Sequence, residues 1–317
     1  MTRAMTLSLR AFTLFVAAAG AAASASAGSA AASPPTPHIL YILIDDWGWN
    51  AVGWHTANAT EIVTPNLDAL HSEGLELDRL YAYKFCSPTR SALQTGRNPI
   101  HVNAFNGAIG AFNPADAVGG FEGIPRNMTG VAAQLKLAGY ATHFAGKWHS
   151  GAATPDHTPL GRGYDTSLCY FDGFNDYWAE QWIQSCAGST NVQLTDLWDG
   201  AGPAVGQNNS WACSAANHSD GGCVFEDDLF TQRLLDTLDG HDPAVPLFFF
   251  FAPHSVHAPQ EAPQAYFDKF SFIEWPPRQR YAGQVNYIDT MIGAVVEKLK
   301  AKGMYDSTLI VVTADSE

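Results

Sequence analysis

Two aspartates in succession, Asp45-Asp46, close an apolar run at residues 38–44, and a third, Asp315, stands just beyond another at 307–313. Adjacent carboxylates repel each other unless a cation or a proton intervenes, so a pair at a strand end suits a divalent metal ion. Oxygen-only ligands favour calcium or magnesium over zinc. Aspartates at strand ends also form turns and cap helices, and the pair alone leaves both readings open.

A sharper element is Cys86-Ser87-Pro88-Thr89-Arg90, continued by Ser91-Ala92-Leu93-Gln94-Thr95-Gly96-Arg97. Pro88 is suited to start a helix and Gly96 to end it. Such a helix aims its free N–H groups and positive end at whatever Cys86 touches, which is an anion-binding arrangement. Arg90, in the first turn, adds a bidentate clamp for sulfate or phosphate oxygens. The plainer alternative is a buried free cysteine beside a surface helix. Lys147, Trp148 and His149 follow a second apolar run, and His254 and His257 a third. Taken singly, each reads as a strand cap or turn residue, and His254 as a bystander.

The elements that must position these residues alternate. Strands are expected at 38–44, 140–145, 247–251 and 307–313, the first a continuous apolar run of the kind buried in parallel sheets. Helices are expected at 66–73, opened by Thr64 as N-cap and Pro65, at 129–138, ended by Gly139, and at 281–302. In the last, Tyr281, Val285, Ile288, Ile292, Val295 and Leu299 form one stripe. Alternation of this kind argues a doubly wound α/β sheet, whose ligands gather beyond the carboxyl ends of the strands. Between residues 146 and 240 the pattern dissolves into Gly, Asn, Asp, Trp and Cys. This stretch reads as a long excursion over the sheet edge, held by disulfides among Cys169, Cys186, Cys213 and Cys223, whose three possible pairings the sequence does not decide. Its five tryptophans, Trp148, Trp178, Trp182, Trp198 and Trp211, make it a poor disordered linker.

Arg3 and Arg10 precede an apolar run at 11–23, and Ala25-Ser26-Ala27 offers a small-residue cleavage site, so residues 1–27 read as an export signal and 28–317 as the mature domain. No later stretch is long and apolar enough to suggest a membrane span. The formal charge of -14 disfavours a nucleic-acid partner. Sequons at Asn58, Asn127, Asn208 and Asn217 fit a secreted glycoprotein.

The chain resembles the type I sulfatases. Cys86-x-Pro88-x-Arg90 with Leu93-x-Thr95-Gly96-Arg97 is similar to the signature at which that family's cysteine is oxidised to Cα-formylglycine. Asp45-Asp46-x-Gly48-Trp49-Asn50, Thr64-Pro65-Asn66-Leu67-Asp68 and Gly146-Lys147-Trp148-His149 resemble further blocks in the same order. The runs at 158–165 and 255–259 are most similar to the arylsulfatase B-like branch, which includes N-acetylgalactosamine-4-sulfatase.

The resemblance implies an alkaline-phosphatase-like α/β/α sandwich with a mostly parallel central sheet, its C-terminal part missing. It implies one calcium ion on Asp45, Asp46, Asp315, Ser316 and converted Cys86, whose aldehyde hydrate attacks sulfur. Arg90 would steady the hydrate, Lys147 neutralise sulfate charge, His149 act as base on the second hydroxyl and His257 protonate the leaving alcohol. Arg97 would add positive potential to the pocket. Partners implied are a sulfated sugar or aryl sulfate and a formylglycine-generating enzyme, and the setting is extracellular or lysosomal. Where the family continues Asp-Asn-Gly, this chain has Asp315-Ser316-Glu317. A secreted, non-catalytic glycan-binding relative is the alternative.

Overall fold

The chain is described from a computed structural model, which covers residues 36–56, 60–105, 123–186, 189–204, 213 and 223–316, with backbone only for 182–186 and 189–193. Strand β1 (His38–Ile44), β2 (Ala141–Lys147), β3 (Thr166–Tyr170), β8 (Leu247–Ala252) and β9 (Thr308–Ala314) run parallel. Two short antiparallel strands, β6 (Trp198–Asp199) and β7 (Gly202–Pro203), complete the order β7-β6-β3-β2-β8-β1-β9. A separate hairpin pairs β4 (Gln181–Cys186) with β5 (Ser189–Thr195).

All six residues of β8, Leu-Phe-Phe-Phe-Phe-Ala, are buried, as a central strand covered on both faces requires. The period-two alternation of a strand divides its phenylalanines between two cores. Phe249 and Phe251 pack with Phe230 and Leu234 of helix α4 (Glu226–Gly240) and with Val285, Ile288 and Ile292 of α6 (Pro276–Ala301). Phe248 and Phe250 pack on the other face with Phe144, Tyr164 and Ala132, the last from α3 (Val131–Leu137). Leu67 of α1 (Pro65–Glu73) joins the first core, and Leu93 of α2 (Cys86–Thr95) lies against the second. A short helix, α5 (Gln264–Asp268), precedes α6. The result is the expected α/β/α sandwich.

Several local expectations are corrected. Helix α2 begins at Cys86, not Pro88, so the cysteine itself is the first helical residue, and Gly96 ends the helix in the left-handed conformation at φ 65°. Thr64 does not cap α1 with its side chain. Instead Asp289, on α6, accepts from Asn66 N at 3.1 Å and Leu67 N at 2.8 Å. The α1 N-terminus is thus satisfied from a helix 222 residues away in sequence, which also fixes where α1 sits. The 146–240 stretch does not merely skirt the sheet. It supplies β3, β6 and β7 to it, and α4 to one face. Among the described residues of that stretch, Cys213 and Cys223 form a disulfide. Cys169 is a free, buried thiol in β3, where it packs in the core, and the Cys186 side chain lies outside the described residues. Of the sequons, Asn127 is exposed, while Asn58, Asn208 and Asn217 lie outside the described residues.

Candidate active site

Register brings the chemistry together. Ile44 pairs with Ala314, so Asp45 and Asp315 leave adjacent strands at the same level. Gly146 pairs with Ala252, which places Lys147 beside the β8 exit that leads to His257. Gly146 has φ 112°, and a Cβ there would lie 1.8 Å from Ala252 O, so no other residue lets β2 and β8 approach this closely. The turn after β8 is tied to β1 by Val256 N donating to Asp45 O at 3.1 Å. Two non-glycine residues at this edge, Asp46 and His149, hold left-handed φ values of 50° and 45°. Each costs on the order of 1 kcal/mol, strain of a kind that collects at functional sites.

The floor of the site is a buried network of charge. Lys147 Nζ lies 2.5 Å from Asp45 Oδ2, and Arg90 reaches Asp315 Oδ2 through Nε at 2.8 Å and Nη2 at 2.7 Å. Arg90 Nη1 also donates to Lys147 O at 2.7 Å. Burial alone would raise the Asp45 carboxyl, but Lys147 and Arg90 outweigh it and hold the group below the ordinary carboxylate range. Asp315 goes the other way, raised by burial and by Asp45 beside it. Cys86 Sγ lies 3.6 Å from Asp45 Oδ1. Burial first, and then Asp45, push its thiol up to about 12. Left as cysteine, this side chain is a neutral thiol at physiological pH and a poor nucleophile.

The rim is more open. Ser316 Oγ donates to Asp46 Oδ1 at 3.0 Å, Asp46 N donates to Asp315 Oδ1 at 3.3 Å, and His257 Nε2 lies 3.5 Å from Asp46 Oδ2. Asp45, Asp46, Cys86 and His257 each offer a ligand atom, all within 4.8 Å of one another. Three carboxylates against Lys147 and Arg90 leave an excess of negative charge that a hard cation would relieve, and the donors that dominate are oxygens. The residues present therefore fit calcium.

The sequence-derived residues Asp45, Asp46, Cys86, Arg90, Lys147, His257, Asp315 and Ser316 are joined in this one network. His149 follows Lys147 by two residues, is buried, and has its ring 3.2 Å from where a Cβ on Gly173 would stand, so a larger residue at 173 would displace it. Arg97 is the exception. It lies beyond the far end of α2, about 15 Å along the helix from Cys86, and donates to Thr95 O and Thr129 O at the exposed surface.

The same span is matched by a family model: the one described as Sulfatase covers residues 37–316. The chain belongs to the sulfatase family. Among curated relatives, it is 33% identical over 280 residues to arylsulfatase J of Mus musculus, covering 88% of this chain and 42% of that one. It is 30% identical over 293 residues to the N-acetylgalactosamine-6-sulfatase of Homo sapiens, covering 89% and 50%. The chain thus spans about half the length of the curated relatives it matches. Among solved structures, Ps i-CgsB superposes with a TM-score of 0.72 at 28% identity, over 88% of this chain and 58% of that one. A second structure of that protein is in complex with k-i-k-neocarrahexaose.

In this member of the family the His257 turn is held by residues the sequence pattern did not single out. Asp227, in the first turn of α4, accepts from His254 N at 2.7 Å and Ser255 N at 2.9 Å. Its neighbour Glu226 lies 3.0 Å from His254 Nδ1, and the His254 ring stacks on Tyr177 at 3.8 Å. Tyr177 Oη donates to His257 O at 2.8 Å. His254 is fully buried, so its place is beneath the turn. A signal for α4 was present: three acidic residues, Glu226, Asp227 and Asp228, open a run in which Phe230, Leu234 and Leu238 repeat every fourth position.

Proposed function

We propose that this protein hydrolyses sulfate esters of sulfated sugars, with Cys86 oxidised to formylglycine and one calcium ion on Asp45, Asp46, Asp315, Ser316 and the converted residue. The observation that carries this reading is Cys86 at the first position of α2, buried beside Asp45, in a network with two cations, Arg90 and Lys147, that are themselves fixed by Asp315 and Asp45.

A bound calcium would polarise a sulfate oxygen and favour the ionised nucleophile. The remaining work falls to the chain. Cys86 is the first residue of α2, so the positive end of the helix dipole favours an anion at position 86. Lys147, charged because Asp45 offsets its burial, neutralises the bound sulfate. Arg90 orients the converted side chain, and its bond to Lys147 O couples α2 to β2. His257, at the rim, protonates the departing alcohol oxygen, and His149 takes the proton released when the enzyme is regenerated. Curated relatives include arylsulfatases and an N-acetylgalactosamine-6-sulfatase, and a similar solved structure is in complex with k-i-k-neocarrahexaose. Sulfated carbohydrate is accordingly the proposed substrate class. The route is secretory, since residues 1–27 have the composition of an export signal, Cys213–Cys223 is a disulfide and Asn127 is an exposed sequon. No helix among the described residues is long and apolar enough to cross a membrane. Maturation then requires a formylglycine-generating enzyme in that compartment.

Mass spectrometry of the Cys86 peptide, from protein made in cells that modify a control sulfatase, tests the reading. Formylglycine at position 86 together with release of sulfate is the expected result. An intact thiol beside a fully modified control would sink it and leave a glycan-binding relative.

A further inference from the structure

A cavity of about 480 Å3 lies next to the His257 turn but takes no part in the chemistry above. That volume falls within the roughly 300–1,000 Å3 of small-molecule sites. Three separate segments place it there. Pro259, in its wall, is two residues beyond His257, a reach of at most about 7 Å. Trp178 follows Tyr177, whose hydroxyl holds His257 O. Gln279 and Arg280 lie one turn before Gln284 on α6, and Gln284 Nε2 reaches the same carbonyl at 3.4 Å. Each segment that steadies His257 thus continues, within a few residues, into the cavity.

The lining has a definite chemistry. Trp178 and Phe267 offer aromatic surface, and Trp178 is only partly buried. Around them stand the amides of Gln260 and Gln279, the carboxyl of Glu261 and, at the exposed rim, Arg280. Glu261 Oε2 is shielded from solvent and has no hydrogen-bond partner among the described residues. Burial, and then Asp176, raise this carboxyl to about 8, so at neutral pH it both donates and accepts. A buried polar atom left without a partner is costly, and it marks a place where a ligand hydroxyl or a water is expected.

A pyranose ring matches this set. One face of the ring is C–H and stacks on an aromatic plane, while its edge carries adjacent hydroxyls that pair with amides and carboxyls. Gln279 Nε2 already donates to Phe267 O at 3.1 Å and keeps its amide oxygen for a ligand, whereas a flat aryl group would leave Glu261 Oε2 without a partner. We propose that this cavity is a subsite for a hydroxyl-bearing sugar unit adjoining the sulfated one, stacked near Trp178 and bound at its edge by Glu261, Gln260 and Gln279. The inference rests on the sulfatase reading for the identity of the neighbouring unit, and its binding arm does not depend on turnover. It makes the enzyme selective for sulfated oligosaccharides over small sulfate esters.

Two measurements on the whole chain test it. In the first, desulfated tetrasaccharides from chondroitin, dermatan and carrageenan are titrated by calorimetry against the wild type and the Trp178→Ala and Glu261→Ala variants. At least one should bind the wild type, and either substitution should weaken it by about tenfold or more, with partial recovery in Trp178→Phe. In the second, kcat/KM is compared on the corresponding sulfated tetrasaccharide and on p-nitrophenyl sulfate. The variants should raise KM about tenfold on the tetrasaccharide and stay within about twofold of wild type on the aryl ester. Circular dichroism checks folding, and Gln279→Ala stands in for any variant that unfolds. If no tetrasaccharide binds, or binding is unmoved by every variant, or both substrates suffer equally, the subsite is overturned. Specific binding without hydrolysis of either ester supports the subsite while removing the sulfatase reading, so the two fail separately.

Discussion

Lys147 Nζ and Asp45 Oδ2 are 2.5 Å apart with both side chains fully buried, and this pair joins the second strand of the sheet to the first directly beneath Cys86. Its two members differ in what their loss leaves behind. Lys147→Ala leaves Asp45 facing Arg90 at 3.5 Å as its remaining cation. We expect a loss of about 3 kcal/mol in urea unfolding, the low end for breaking a buried pair, because Arg90 still offsets part of the charge. Asp45→Asn with Lys147→Met together should restore most of that stability without restoring turnover. If the double variant is no more stable than Lys147→Ala, the pair is not what links β1 to β2.

Cys86 is only 7% exposed and small, so Cys86→Ala removes few contacts. Turnover should vanish while the unfolding midpoint shifts by no more than about 1 kcal/mol in equivalent stability. Global unfolding of this variant would instead favour the reading of Cys86 as a packed core thiol.

The His257 assignment is tested by leaving group. An alcohol needs a proton as it departs, whereas a nitrophenolate hardly does. His257→Ala should therefore reduce kcat/KM on a sulfated sugar by about a hundredfold or more, and on an activated aryl sulfate by about tenfold or less. Equal losses on both would remove the acid role and leave His257 as a partner of Asp46 alone.

How much of this was legible follows from where each signal resides. Buried strands announce themselves as apolar runs, and the Asp45, Lys147 and Asp315 positions follow from those runs ending where parallel strands end. Long-range partnership carries no such local mark. Nothing near Asp289 shows that it caps α1, and nothing near Tyr177 shows that it holds the His257 carbonyl, since both depend on how distant helices settle on the sheet. Arg97 misled because adjacency to a motif is not adjacency in space: a ten-residue helix carries it away from the very cysteine it follows. Cys169 misled for a related reason, because a strand in a parallel sheet takes a cysteine as readily as any small apolar residue.

Glu180 gives a pH prediction independent of catalysis. It is fully buried, neither carboxylate oxygen has a hydrogen-bond partner among the described residues, and burial followed by Asp176 raises its carboxyl to about 9. A raised carboxyl is favoured protonated in the folded state. Below the unfolded value near 4.5 both states hold the proton and no penalty exists. Between there and about 9 only the unfolded chain ionises, so stability falls with rising pH, at up to about 1.4 kcal/mol per unit. Glu180→Gln keeps the shape without the ionisation. It should match wild type at pH 4 and exceed it by about 2 kcal/mol or more at pH 7 in denaturant melts. Parallel curves from pH 4 to 8 would show that water or a cation reaches Glu180 in the folded protein.

The last prediction concerns the cation and Ser316. If Asp45, Asp46 and Asp315 hold calcium, the ion binds the folded state alone and raises its stability by mass action, about 2.7 kcal/mol at a free concentration one hundred times Kd. Stripping divalent ions with a chelator should lower the melting temperature. Calcium should restore it more fully than magnesium, because three strand-end carboxylates and a hydroxyl form an irregular oxygen cage rather than the tight octahedron magnesium demands. Ser316 Oγ, 3.0 Å from Asp46 Oδ1, is a short neutral donor at the exposed rim. Replacing it by asparagine supplies an amide oxygen that reaches further toward the carboxylates and is the stronger neutral ligand. Ser316→Asn should therefore lower the calcium concentration at half-maximal thermal shift, and Asp46→Asn should raise it by removing a charged ligand. A melting temperature indifferent to chelator, calcium and both substitutions would mean that Lys147 and Arg90 neutralise this cluster without help, and that the carboxylates serve to hold those two cations in place.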